Sequence, residues 1–133
     1  MVYYSTGPSA DYDGDGRVDL FLVNWFRGNH SRLMRNDSPP RNWLDVEVRG
    51  RDGINRMGIG SQVRVYRAGR LGDEAALVGL QEVTIGYGYG GGQTAVCHFG
   101  LGNIERVDLS IRLPGGKVIE QRSVSADRRI VVE

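Results

Sequence analysis

The sequence predicts an all-β chain whose main part is an antiparallel β-sandwich or barrel-like domain, and three observations carry this. Short segments alternate apolar and polar residues with a period of two, as half-buried strands require. Glycine is abundant, 20 of 133 residues, which suits many tight turns. No segment shows a capped helical period of useful length. The alternation is clearest in Arg106-Val107-Asp108-Leu109-Ser110-Ile111-Arg112-Leu113. Strands separated by short turns roughly every 8–15 residues argue for a sandwich or barrel.

Taken in order, the first feature is Asp11-Tyr12-Asp13-Gly14-Asp15-Gly16-Arg17-Val18-Asp19. Carboxylates fall at loop positions 1, 3, 5 and 9, with glycine at position 6, which is the ligand spacing of a calcium loop. Calcium takes six to eight oxygens, so several carboxylates must converge on one point. Asp11, Asp13, Asp15 and Asp19 are the candidate side-chain ligands, and the backbone carbonyl of Arg17 occupies position 7. Gly16 permits the sharp turn that brings the later ligands round. An EF-hand would need Glu at position 12 and a helix after the loop, but position 12 is Leu22. Leu20-Phe21-Leu22-Val23-Asn24-Trp25 is instead a short apolar run, read as a buried strand.

Loop followed by strand resembles an FG-GAP (VCBS-type) repeat, the calcium-bearing unit of a β-propeller blade. The four aspartates match that family's ligand positions, and Arg32 to Asp37 resembles the next blade strand. The resemblance implies that residues 1–37 are a fragment of a propeller blade, with Ca2+ as the cofactor and the remaining propeller blades elsewhere in a longer chain. Ser38-Pro39-Pro40-Arg41-Asn42 marks a linker over 38–42, because consecutive prolines join neither a helix interior nor a central strand.

From Trp43 onward strand follows strand. Leu44 to Arg49 and Gln62 to Arg67 alternate as Arg106 to Leu113 does. Pro114-Gly115-Gly116 makes a turn and Lys117 to Gln121 returns, a hairpin. Leu77 to Ile85, Thr94 to Phe99 and Arg129 to Val132 are further strands. The turns of this region carry a second signature. Gly50 to Val63, with Asn55-Arg56 and Gly58-Ile59-Gly60 inside it, is similar to the G-x-x-S-N-R-x-A-I-G-A-x-V stretch of the ASPIC/UnbV domain. Gly88-Tyr89 with Gln93 resembles its G-Y-x-S-Q loop, His98 to Gly102 its H-F-G-L-G, and Leu113 to Gly116 its W-P-S-G. Ile54, Cys97, Leu113 and Gly115 depart from the pattern. The resemblance covers about residues 43–133, carries over no catalytic residue, and implies a domain that follows FG-GAP repeats in secreted proteins.

Other candidates are weaker. Gly86 to Gly92 lacks the following helix that a phosphate-binding loop needs, and reads as a flexible loop at one end of the sheet. Its Tyr87 and Tyr89, with Gln93, Asn55 and Arg56, form a possible ligand loop set, and Trp25 and Trp43 are further stacking aromatics. His98 is expected to be a hydrogen-bonded structural residue, and neither it nor His30 has transition-metal spacing around it. Cys97 is expected in the core. Asp45, Glu47, Glu105, Asp108 and Glu120 are expected mostly on solvent faces, with no acid–base pair among them.

A net charge of +1 offers no field for nucleic acid or an anionic membrane surface, and no apolar run is long enough to span a membrane. One cysteine allows no internal disulfide. Met1-Val2-Tyr3-Tyr4 is not the start of a signal peptide, so an export signal is expected outside this stretch of a longer chain. The expected function is a non-enzymatic extracellular calcium-binding interaction or adhesion module with a protein or glycan partner, secreted, cell-surface or periplasmic. The alternative is a carbohydrate-binding or accessory domain of an extracellular carbohydrate-active enzyme.

Overall fold

The computed structural model describes Tyr4 and residues 6–133; Met1, Val2 and Tyr3, on which the reading of the chain's opening rests, lie outside the described residues, as does Ser5. The strands are β1 (Ser9–Ala10), β2 (Asp19–Leu22), β3 (Arg32–Met34), β4 (Asn42–Val48), β5 (Gln62–Arg67), β6 (Leu77–Glu82), β7 (Gly86–Tyr87), β8 (Gly91–Gly92), β9 (Val96–Gly102), β10 (Arg106–Arg112), β11 (Val118–Ser125) and β12 (Arg128–Val132). Among the described residues the one helical turn is the 3-10 turn Glu74–Ala76, capped by Asp73, which accepts from the Ala75 amide. The all-β expectation therefore holds.

The chain divides into two compact units, Met1–Pro40 with Ile85–Thr94, and Arg41–Thr84 with Ala95–Glu133. In the first, β1, β2 and β3 form an antiparallel sheet with Ser9 opposite Leu20 and Leu20 opposite Met34. The strand expected over 20–25 forms at Asp19–Leu22, but it is not buried: Phe21 is 42% exposed and Leu20, Trp25, Leu33 and Met34 are exposed as well. The physical reason is area, since sheets of three and two very short strands cannot enclose a core of their own. The glycine-rich stretch, expected as a flexible loop, forms the hairpin β7–β8, with Tyr87 opposite Gly91.

The second unit is a sandwich. One sheet has the order β11-β10-β5-β6 and is wholly antiparallel. The other has the order β12-β4-β9. Alternate residues of both sheets, including Leu44, Val46 and Val48 of β4, Val63 and Val65 of β5, and Val107, Leu109 and Ile111 of β10, point into one core. Each such side chain contributes about 1.5–3 kcal/mol by leaving water. No sheet among the described residues closes on itself, which selects the sandwich over the barrel.

The expectation of an antiparallel domain needs one correction: β12 pairs with β4 in parallel, Arg128 opposite Leu44 through Val132 opposite Val48. Between β11 and β12 the chain changes sheets at Ala126-Asp127. Asp127 adopts φ 58°, donates its amide to the Trp43 carbonyl at 2.7 Å and accepts the Trp43 amide on Oδ1 at 3.2 Å. This corner satisfies the backbone at the crossing and sends the chain along β4 in the same direction. β4 begins at Asn42, whose side-chain amide donates to the Ile104 carbonyl at 3.0 Å, so the last residue of the expected linker is already in the sheet.

A second correction concerns Asp108, which is 1% exposed. It does lie on the face opposite Val107 and Leu109, but that face is covered here. On β11, Arg122 and Ser123 form a bulge opposite it, with Ser123 at φ 55°. Asp108 accepts the Ser123 amide at 2.8 Å and the Gly69 amide of the β5–β6 connection at 2.8 Å. The carboxylate is buried because it supplies acceptors to two amides that the sheet leaves unpaired.

Candidate metal centre

The loop before β2 is built around Asp11. Its Oδ1 accepts the amides of Gly14 at 2.7 Å and Asp15 at 3.1 Å, and its Oδ2 accepts that of Gly16 at 2.7 Å. Gly14 and Gly16 sit at φ 76° and 83°, in the left-handed region that a side chain would oppose. Asp15 accepts the Arg17 amide at 2.9 Å. Buried Asp19, at the start of β2, accepts the Tyr12 amide at 3.2 Å and the Asn36 amide at 2.7 Å. Asn36 also donates to the Val18 carbonyl, and Arg17 Nε donates to the Asn36 carbonyl at 2.7 Å. The loop is thus tied to the chain just past β3.

Each of Asp11, Asp13 and Asp15 offers a carboxylate oxygen, and these lie within 4.8 Å of one another. Calcium–oxygen distances are about 2.3–2.6 Å, so oxygens sharing one ion stand at most about 5 Å apart. The three carboxylates therefore fit a calcium ion. Asp19 stands apart from this group as a brace. Like charges held so close need neutralising, and two arginines supply part of that. Arg17 forms an ion pair with Asp15, and Arg35 Nε lies 3.6 Å from Asp13 Oδ2 and 3.2 Å from Asp37.

The second set of candidates is divided between the two units. Tyr87, Tyr89 and Gln93 belong to the first unit, whereas Asn55 and Arg56 belong to the second. Tyr89, 76% exposed at the tip of the β7–β8 hairpin, packs edge-on to Trp25, 59% exposed, with ring centroids 6.1 Å apart. Gln93 closes the hairpin, its amide donating to the Ile85 carbonyl at 2.9 Å. Asn55 is occupied locally: its side-chain amide donates to the Ile59 carbonyl and its Oδ1 accepts the Ile59 amide, both at 2.8 Å. Arg56 is exposed.

His98 is held as expected, with Nδ1 2.8 Å from Asp45 Oδ1 and the ring stacked on Trp43. Cross-strand pairing of β4 with β9 puts Asp45 opposite His98, a neighbour relation that a sequence read strand by strand does not display. Glu47 is held below the usual carboxylate range by its hydrogen bond from Arg49 and by Arg129. Cys97 is buried, and burial first, with the Asp45 charge second, pushes its thiol up to about 11. Such a thiol carries almost no thiolate at neutral pH, which fits a core residue and not a nucleophile.

The profile of the family described as ASPIC and UnbV matches residues 51–133. The chain belongs to the ASPIC and UnbV family. This ASPIC and UnbV chain is also 29% identical to cartilage acidic protein 1 of Homo sapiens over 136 aligned positions, which cover 96% of the chain and 18% of that protein. The corresponding protein of Mus musculus gives 29% identity over 136 positions, with 96% and 19% covered. The chain therefore spans less than a fifth of the length of these relatives. No helix among the described residues is long and apolar enough to cross a membrane.

Proposed function

We propose that this chain is a non-enzymatic, extracellular, calcium-binding interaction module, and the C-terminal part of a larger β-propeller protein. The observation that carries the proposal is the convergence of the Asp11, Asp13 and Asp15 carboxylates within 4.8 Å on a loop tied to its own sheet. In this reading those three side chains and the Arg17 carbonyl are ligands, and Asp19, which the spacing also offers as a ligand, instead braces the loop through the Tyr12 and Asn36 amides. Calcium, when bound, neutralises the converging carboxylates in place of Arg17 and Arg35 and rigidifies the loop; it has no reacting group to activate. Residues 1–37 act as a partial FG-GAP repeat. Support for that comes from the exposed Phe21, Leu33 and Met34 of the β1–β3 sheet, which suit burial against further blades. The small share of the relatives' length that the chain covers is in keeping with this. A site of three carboxylates without a bidentate Glu suits the millimolar calcium found outside cells.

Titration calorimetry tests the reading. Wild type should bind calcium with a Kd of roughly 10⁻⁵–10⁻³ M. Asp13→Ala removes a charged ligand from the middle of the cage and should abolish saturable heat in that range. Equal heats for the two proteins would remove calcium from the account.

The alternative reading, a carbohydrate-binding accessory module, is favoured by the exposed Trp25–Tyr89 pair. Such rings can stack on the faces of a sugar. Neutral oligosaccharides that quench Trp25 fluorescence in wild type, and not in Tyr89→Ala, would favour it over the first reading.

A further inference from the structure

We infer that one end of the sandwich unit is a binding site for uronate-bearing polysaccharide. The inference rests on the reading of the chain as an interaction module and names the chemistry of its partner, but it does not depend on calcium. Two clefts of about 460 Å3 each flank the turn Leu113-Pro114-Gly115-Gly116 and share Leu113, Pro114 and Gly115 as a common wall. That volume lies within the range of about 300–1,000 Å3 of small-ligand sites. The dividing turn is fixed: the Leu113 amide donates to the Lys117 carbonyl at 2.8 Å and the Gly116 amide to the Leu113 carbonyl at 2.9 Å. Gly115 and Gly116 take φ 93° and 97°, which no other residue type adopts cheaply.

Charge decides what the clefts take. Arg112 stands over one, and Arg49, Arg51 and Lys117 stand over the other. Among the described residues the carboxylates lining them are Asp52 and Glu133. Glu133 shows what group suits the second cleft, because its carboxylate pairs with Arg51 and lies 4.0 Å from Arg49. A guanidinium matches a planar carboxylate with two parallel hydrogen bonds. Among the described residues Arg112 and Lys117 have no ion-pair partner, so one uncommitted cation stands on each side of the ridge. A polymer with a carboxylate on successive residues can meet both. A peptide is less well suited: strand addition needs an unpaired strand edge along the site, and although β11 and β12 are edge strands, no residue of either lines the clefts.

The test measures binding of a fluorescently labelled hexagalacturonate to the whole chain in chelator, so that calcium bridging plays no part. Wild type should bind saturably below about 1 mM, and binding should weaken as salt is raised. Arg112→Ala with Lys117→Ala should bind roughly tenfold more weakly, since exposed ion pairs contribute modestly. Arg112→Lys with Lys117→Arg keeps the charge and should keep most of the affinity. Each single alanine variant should show part of the loss, which preserves the comparison should the double variant fold poorly. The inference is overturned if wild type does not bind below 1 mM, if the alanine variants bind as wild type does, or if polyglutamate or a sulfated hexasaccharide binds more tightly than hexagalacturonate. A calcium site that fails in calorimetry leaves this result untouched, and the reverse also holds.

Discussion

At the scale of single residues the departures from the period-two pattern are instructive. Asp108 sits where alternation puts a solvent-facing residue, yet it is buried between a β-bulge and the turn at Gly69. Nothing in the alternation signals a bulge on a neighbouring strand, because the pattern is local and the bulge is set by pairing. Asp108→Ala strands two amides and should cost roughly 2–4 kcal/mol in urea unfolding; a loss under about 0.5 kcal/mol would show that water replaces the carboxylate. Ser61 is the opposite case, fully buried with a hydroxyl that has no partner among the described residues. Ser61→Ala should therefore leave stability unchanged or raise it by up to about 1 kcal/mol, and a clear loss would reveal a partner. Cys97 was legible, since it shares parity with Phe99, and it gives a pH prediction. Its folded-state pKa of about 11 lies above the ordinary thiol value of about 8.5. The folded state therefore holds the proton more tightly. This contribution is fully present below about pH 8.5 and is lost as pH rises towards about 11. Wild type should lose more stability over that window than Cys97→Ala, and parallel curves would contradict the assignment.

At the scale of elements, most strands were legible because their alternation survives burial of one face. β4, β5 and β10 coincide closely with the expected segments. The parallel pairing of β12 was not, because the direction of pairing is decided by the corner at Asp127 and not by the strand's own pattern. This strand brings Val132 into the core and accepts the Arg49 amide on the Val132 carbonyl at 2.8 Å. Ending the chain after Asp127 should leave β4 with one edge open and remove cooperative melting, whereas a sharp melt near the wild-type temperature would show β12 to be dispensable. The buried-strand expectation for 20–25 failed for a related reason. Apolar content tells that a segment seeks cover, and the cover must come from elsewhere in the protein.

At the scale of the molecule, the division at Pro40 follows the Pro-rich stretch, but the grouping of Ile85–Thr94 with the first unit does not follow from chain order. The hairpin is an excursion from the sandwich, and no composition shift marks where it leaves. Residues 41–133 contain every strand of the sandwich core. A chain spanning them should fold cooperatively, and should still do so with Gly86–Gly92 replaced by a short flexible linker. An uncooperative melt of the chain with the hairpin intact would show that the first unit is needed for the second. Of the candidate site, the gathering of the Asp11, Asp13 and Asp15 carboxylates was legible because they alternate within five consecutive positions. The Asp45–His98 pair and the two clefts beside Pro114 were not, since they are assembled from segments far apart in sequence.

Amide chemical shifts followed through a calcium titration of the uniformly labelled protein test most directly whether the Asp11–Asp19 loop holds calcium. The amides of Gly14, Asp15, Gly16 and Arg17 donate to Asp11 and Asp15 carboxylates, so they report any change at those groups. These amides should shift together along one saturating curve with a Kd of roughly 10⁻⁵–10⁻³ M. Residues of the sandwich core should stay still, and Asp13→Ala should remove the response. Loop amides that do not move up to about 10 mM calcium, well beyond that affinity range, or that move equally in Asp13→Ala, would contradict the account.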